Sequence, residues 1–95
     1  MRERDIEQHL VKRAKALGGE VRKVQWIGRR GAPDRLVMLP FQGRNPKQAC
    51  TFWVELKAPG VKPEAYQLRE HQRMFKMGQH VVVIDSIEAV ERLLS

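Results

Sequence analysis

Thr51-Phe52-Trp53-Val54-Glu55-Leu56-Lys57 is the stretch on which the reading of the fold turns. Residues 51–54 are all β-branched or aromatic, the side chains that suit a pleated, half-buried surface. They predict the strongest strand of the chain over Thr51 to Leu56. Successive side chains on a strand point to opposite faces, so Glu55 and Lys57 share one face and Leu56 points into the core. Pro59-Gly60 breaks the strand soon after Lys57. The acid–lysine pair therefore sits at a strand end.

Upstream, Arg35 to Leu39 reads as a second strand, opened by Pro33-Asp34. Proline cannot sit within a central ladder but is tolerated at the first position of a strand. Gly28 to Pro33 is a turn-rich loop carrying Arg29 and Arg30. A shorter strand is expected over Val21 to Trp26. Arg4 to Leu17 reads as a helix, because Ile6, Leu10, Ala14 and Leu17 recur at helical spacing, with Val11 widening the stripe. Gly18-Gly19 ends it as a left-handed cap would.

Pro40 to Cys50 is polar and basic and reads as a connection. Downstream, Glu64 to Met77 reads as a helix stopped by Gly78, and Val81 to Ile84 as a buried strand. Asp85 or Ser86 can cap a last helix whose inward face is Ile87, Val90, Leu93 and Leu94. The order α-β-β-β-α-β-α predicts a mixed sheet with helices on its faces.

The chain has 95 residues, which is one domain, residues 1–95, with no room for a second. Eighteen Lys and Arg against eleven Asp and Glu give a net charge of +7. That excess on a small body points to a polyanionic partner, most often nucleic acid. The aliphatic run Val81–Ile84 is far short of the ~20 residues a membrane span needs. Met1-Arg2-Glu3-Arg4-Asp5 is followed by no apolar stretch, so a secretory signal is not expected. Cys50, the single cysteine, allows neither an internal disulfide nor a zinc cluster. An intracellular (cytoplasmic) protein is expected.

The chemistry gathers where these elements meet. If the two central strands pair as a hairpin, Asp34 and Glu55 converge. Two carboxylates without another charge partner attract a hard divalent cation such as Mg²⁺ or Mn²⁺. Such an ion activates water and stabilises charge on a phosphodiester. Lys57 would then orient the water or neutralise the phosphate. An acidic residue two before a lysine arises about once in a chain of this length by chance. The weight lies in the context: strand positions, an upstream Pro-Asp and a basic chain.

Gly31-Ala32-Pro33-Asp34, then Val54-Glu55-Leu56-Lys57-Ala58-Pro59-Gly60, then Gln67 on a helix and Gly78 before a Val-rich strand, together resemble the virus-type replication-repair nuclease (VRR-NUC) domain of the PD-(D/E)xK nuclease superfamily. The resemblance runs from the first helix to Ile84. It implies an α/β (α+β) fold with a restriction-endonuclease-like αβββαβ core, a central mixed sheet flanked by helices. The layout read from the residues has the same order. The resemblance further implies a metal-dependent, structure-specific DNA endonuclease. Stand-alone members of this length are similar to phage-encoded proteins and act as homodimers on branched DNA, including four-way (Holliday) junctions.

For the site, the resemblance implies that Asp34 and Glu55 bind Mg²⁺ or Mn²⁺ and that Lys57 is the catalytic lysine. It assigns Glu7 as a further metal-site acid, Gln67 as the helix glutamine that supports the site, and the main-chain carbonyl of Leu56 as a ligand. One position departs from the pattern. Some branches of the superfamily carry a tyrosine four residues after the glutamine, where His71 stands here.

Arg29 and Arg30 precede the Pro-Asp strand and suit phosphate contact. Lys62, with Arg44 and Lys47, lies in loops that could track the DNA backbone. Arg69, Arg73 and Lys76 share one helix face. Tyr66 and Trp26 could stack on bases, although core packing suits Trp26 better. Three rival readings keep the same residues: a sequence-specific or nicking nuclease of the same fold, a non-catalytic basic DNA-binding module, and a ribonuclease.

Overall fold

The computed structural model describes residues 1–40 and 51–95. The connection expected over Pro40 to Cys50, with Arg44, Lys47 and Cys50 itself, lies outside the described residues except for Pro40. The described elements are α1 (Glu3–Ala16), β1 (Glu20–Lys23), β2 (Arg35–Met38), β3 (Thr51–Leu56), α2 (Ala65–Lys76), β4 (Val81–Ile84) and α3 (Ile87–Leu94). This is the predicted order, and the fold is α+β.

The strands form one sheet in the order β1-β2-β3-β4. β1 pairs antiparallel with β2, and β2 antiparallel with β3, in a register that sets Arg35 opposite Val54. β3 and β4 run parallel, with Leu56 opposite Ile84. A parallel pair needs a crossover, and α2 supplies it.

α1 begins with Asp5 accepting a 2.8 Å hydrogen bond from the Arg2 amide. Acids in its first turn and Arg13 and Lys15 in its last complement the helix dipole. At its end Gly18 takes φ 83°, a left-handed cap, and the Gly19 amide donates to the Ala14 carbonyl at 2.8 Å. Gly19 is needed for a different reason. A Cβ there would lie 2.4 Å from the Met38 carbonyl oxygen, so only glycine lets the turn pass against the end of β2. Ser86 caps α3, its hydroxyl accepting from the Ala89 amide at 3.0 Å.

The core joins α1 and α3 to the sheet. Ile6, Leu10 and Ala14 of α1 meet Val37, Val54, Leu56 and Ile84 of the strands and Ala89, Val90 and Leu94 of α3. Burying each large aliphatic side chain contributes roughly 1.5–3 kcal/mol. Val54 and Leu56 point into this core, which leaves Glu55 on the other face of β3, where His71 of α2 meets it.

Two expectations change. The first strand stops at Lys23 rather than Trp26. Two steps beyond that point the register reaches Pro33, which has no amide to continue the ladder. The chain there is held otherwise: the Val24 amide donates to the Asp34 carbonyl at 2.9 Å, and the Trp26 indole N–H to the Pro33 carbonyl at 2.8 Å. The aliphatic run Val81–Ile84 does form a strand, but only Ile84 is buried and Val83 is 37% exposed. Among the described residues β4 has one neighbour, β3, so it is an edge strand rather than a buried one. No described helix is long and apolar enough to cross a membrane.

Candidate active site

The site forms where β3 ends beside the start of β2. Continuing the antiparallel register one step past Arg35–Val54 sets Asp34 across from Glu55. The hairpin expected from sequence therefore makes the two acids cross-strand neighbours. Lys57 follows at the end of β3, where its amide still donates to the Ile84 carbonyl at 2.9 Å. The backbone of β3, pinned between β2 and β4, thus holds the whole Glu55-Leu56-Lys57 run.

Glu55 is 8% exposed. Burial pushes its carboxyl from an ordinary 4.5 up to about 7; the Lys57 charge pulls the other way, and the Asp34 carboxylate adds to the rise. Its near partner is His71, whose Nε2 lies 3.3 Å from Glu55 Oε1. Burial lowers the His71 pKa and the Lys57 charge lowers it further, against the opposing pull of Glu70. A buried neutral imidazole thus faces a carboxyl that, without a cation, favours keeping its proton.

Glu7 and Asp34 are joined through a residue the sequence reading passed over. Arg35 donates through Nε to Glu7 Oε2 at 3.1 Å and through Nη2 to the same oxygen. Its Nη1 lies 2.9 Å from Asp34 Oδ1. The Arg35 side chain is only 13% exposed. Burial works against its charge, but the hydrogen bond to Glu7 and the charges of Asp34 and Glu7 outweigh it and raise its pKa. The guanidinium therefore already neutralises two of the three expected metal-site acids. Among the described residues no group of three or more His, Cys, Asp or Glu is arranged to hold a metal ion.

The donor chemistry still suits a hard divalent cation at Asp34 and Glu55. Both offer carboxylate oxygens on adjacent strands, and Glu55 is a buried acid short of positive charge. Both Arg35 bonds go to Glu7 Oε2, so Glu7 is tied to the guanidinium on one oxygen.

Gln67, the expected supporting glutamine, lies in the first turn of α2. Its Oε1 accepts from the Glu64 amide at 2.8 Å, which closes the first turn of α2. His71, one turn further along α2, is the helix residue in contact with Glu55. The i,i+4 spacing from Gln67 was the available signal, and it became informative only once α2 was seen to lie against Glu55.

Arg30 stacks its guanidinium 4.0 Å above the Tyr66 ring. Arg29 lies 3.6 Å from Glu70, which Arg73 also engages at 2.8 Å. Lys62 is exposed in the connection before α2. Trp26 is 37% exposed rather than a core residue, with its ring 5.1 Å from that of Trp53. An open cleft of about 660 Å³ lies beside the site, lined by Lys23, Gln25, Trp26, Arg29, Ala32 and Asp34 among others.

No protein-family model matches the chain. Two proteins do. Over 86 residues it is 51% identical to "Putative nuclease p44" of Acyrthosiphon pisum secondary endosymbiont phage 1, spanning 90% of this chain and 85% of that one. A solved structure described as a VRR-NUC domain superposes with a TM-score of 0.79 at 40% identity, covering 96% of this chain and 91% of the other. The four-stranded mixed sheet, the acid–lysine strand end and these likenesses define a nuclease. The chain belongs to the VRR-NUC family.

Proposed function

We propose that this nuclease is a metal-dependent endonuclease that hydrolyses phosphodiester bonds in branched DNA, four-way junctions included. The observation that carries the reading is the Glu55 carboxyl, buried across the strand pair from Asp34 and two residues before Lys57. Nothing in a merely structural strand favours an acid there, since burial, with the nearby Asp34 carboxylate, raises the carboxyl's pKa to about 7 despite the charge of Lys57. A Mg²⁺ or Mn²⁺ ion supplies further positive charge. Asp34 and Glu55 would hold it, with the Leu56 main-chain carbonyl and Glu7. When bound, such an ion supplies an activated water and stabilises charge on the phosphodiester.

The chain's own residues do the rest. Lys57 orients the attacking water or neutralises the phosphate. His71 holds the Glu55 carboxyl through its ring nitrogen. Arg29, Arg30 and Lys62 offer positive charge to phosphates on the approach to the site, and the net charge of +7 favours DNA over a neutral partner.

A four-way junction requires two symmetric cuts, and one domain carries one such site, so the working form is a homodimer. The described surface that suits pairing is the exposed side of β4 and α2, where Leu68, Phe75 and Val83 are exposed. Cleavage of a labelled four-way junction and of a matching linear duplex, with Mn²⁺, Mg²⁺ or EDTA, tests the proposal. Paired, metal-dependent cuts on the junction that disappear in Lys57→Ala support it. Junction binding with no metal-dependent cutting refutes it.

A further inference from the structure

Ile27 is 95% exposed. It sits in the 24–34 connection between β1 and β2, which is tied down on both sides. On one side the Trp26 indole bonds the Pro33 carbonyl and its ring leans on Trp53. On the other side Arg30 lies over the Tyr66 ring. Gly31 follows with φ 87°, and a Cβ there would come within 3.0 Å of both the Tyr66 ring and its carbonyl oxygen. The connection ends at Asp34, whose carbonyl accepts from Val24. An apolar side chain is thus presented to solvent on a preorganised, cationic loop that leads into the candidate site.

The surroundings decide what it meets. Arg29 and Arg30 follow it on the loop and favour a polyanion. Of its neighbours on the loop, Gly28, Arg29 and Arg30 add no apolar area, and Trp26, 37% exposed, is turned to the Pro33 carbonyl and Trp53, so the apolar surface at the tip stays small for a protein partner. A single apolar side chain among arginines matches the wedge with which proteins part a base step while basic residues hold the flanking phosphates. Base steps at a branch are already interrupted and open at least cost. The adjoining cleft, with the Trp26 ring on its wall, has room for a displaced base.

We propose that Ile27 is a wedge that enters the opened base step at the branch of the DNA substrate, with Arg29 and Arg30 on the flanking phosphates and the displaced base in the Trp26 cleft. The proposal rests on the reading of branched DNA as substrate and adds the element that recognises the branch.

The test uses a synthetic four-way junction carrying 2-aminopurine at the branch, with EDTA present throughout so that no cutting occurs. The wild-type protein is expected to raise the 2-aminopurine fluorescence by unstacking it. Ile27→Ser is expected to abolish the rise and to lower the ratio of junction affinity to linear-duplex affinity on the order of tenfold. Val11→Ser, which removes a partly exposed apolar group from α1, serves as the control and is expected to behave as wild type. An Ile27→Ser protein that unstacks the branch and prefers the junction as wild type does would overturn the wedge. Because no metal is present, the outcome is separate from the chemistry: a protein that unstacks the branch but never cuts with Mn²⁺ loses the nuclease mechanism and keeps the wedge.

Discussion

Glu55→Gln should stabilise the metal-free protein, and the gain should depend on pH in a defined way. In the fold, burial holds the Glu55 proton up to about pH 7, whereas the unfolded acid releases it near 4.5. Below pH 4.5 both states are protonated, and the stabilisation linked to the proton is fully present. As pH rises toward 7 the unfolded chain ionises freely while the folded one resists, so that stabilisation is lost. A rise from 4.5 to about 7 corresponds, at about 1.4 kcal/mol for each pKa unit, to roughly 3 kcal/mol. Glutamine has the shape of the protonated acid and never ionises. Urea unfolding of both proteins in EDTA, from pH 4 to pH 8, should show a difference close to zero at pH 4. The difference should open between pH 4.5 and 7 and level off at roughly 3 kcal/mol in favour of the variant. In a domain of this size that is a melting-temperature gap on the order of 15 °C. The lowered pKa of His71 has the opposite sign, since its protonation destabilises the fold as pH falls. Mn²⁺ should close the gap by stabilising the wild type alone. A difference that stays flat across this pH range would refute the argument that Glu55 is a buried acid short of positive charge.

Lys57→Ala should lower metal-dependent cleavage by about 10²-fold or more while urea unfolding stays within about 0.5 kcal/mol of wild type, since the residue is only partly buried. Arg35→Met strips Glu7 and Asp34 of their shared guanidinium and should cost about 1–3 kcal/mol without metal, with Mn²⁺ restoring more stability to the variant than to wild type in thermal melts. Ile6→Ala empties a fully buried position in the α1 core and should cost about 2–5 kcal/mol by chemical denaturation. Trp26→Phe keeps the ring but loses the bond to the Pro33 carbonyl; a cost of about 1 kcal/mol in denaturation, with weaker junction cleavage, is expected.

Local chemistry explains which parts of this molecule can be read from sequence. Thr51–Leu56 declares itself because its propensity and its alternation agree, and the alternation puts Leu56 in the core and Glu55 opposite. The meeting of Asp34 and Glu55 follows from one further step, a hairpin between neighbouring strands. Arg35 escaped because its role is tertiary: a long side chain at the start of β2 reaches α1, and no spacing in the sequence records that reach. Asp34, expected to lack a charge partner, therefore has one. His71 escaped for a similar reason, since its contact with Glu55 depends on where α2 crosses the sheet. Val81–Ile84 was legible as a strand but not as an edge, because an aliphatic run carries no information about how many neighbours it has. Trp26 looked like core by residue type, yet its indole is spent on bracing a loop.

That bracing has a consequence for how such a nuclease could diversify. The Trp26–Pro33 bond and the packing of Gly31 on Tyr66 hold the base of the loop, while residues 27–29 at its tip carry none of the sheet's hydrogen bonds and none of the buried core. The tip can therefore be exchanged without disturbing the strands that carry Asp34, Glu55 and Lys57. Gly28 takes φ 73° and is best kept, so selection on substrate shape would act on Ile27 and Arg29 at little thermodynamic risk, and laboratory evolution aimed at retargeting the enzyme should begin by randomising those two.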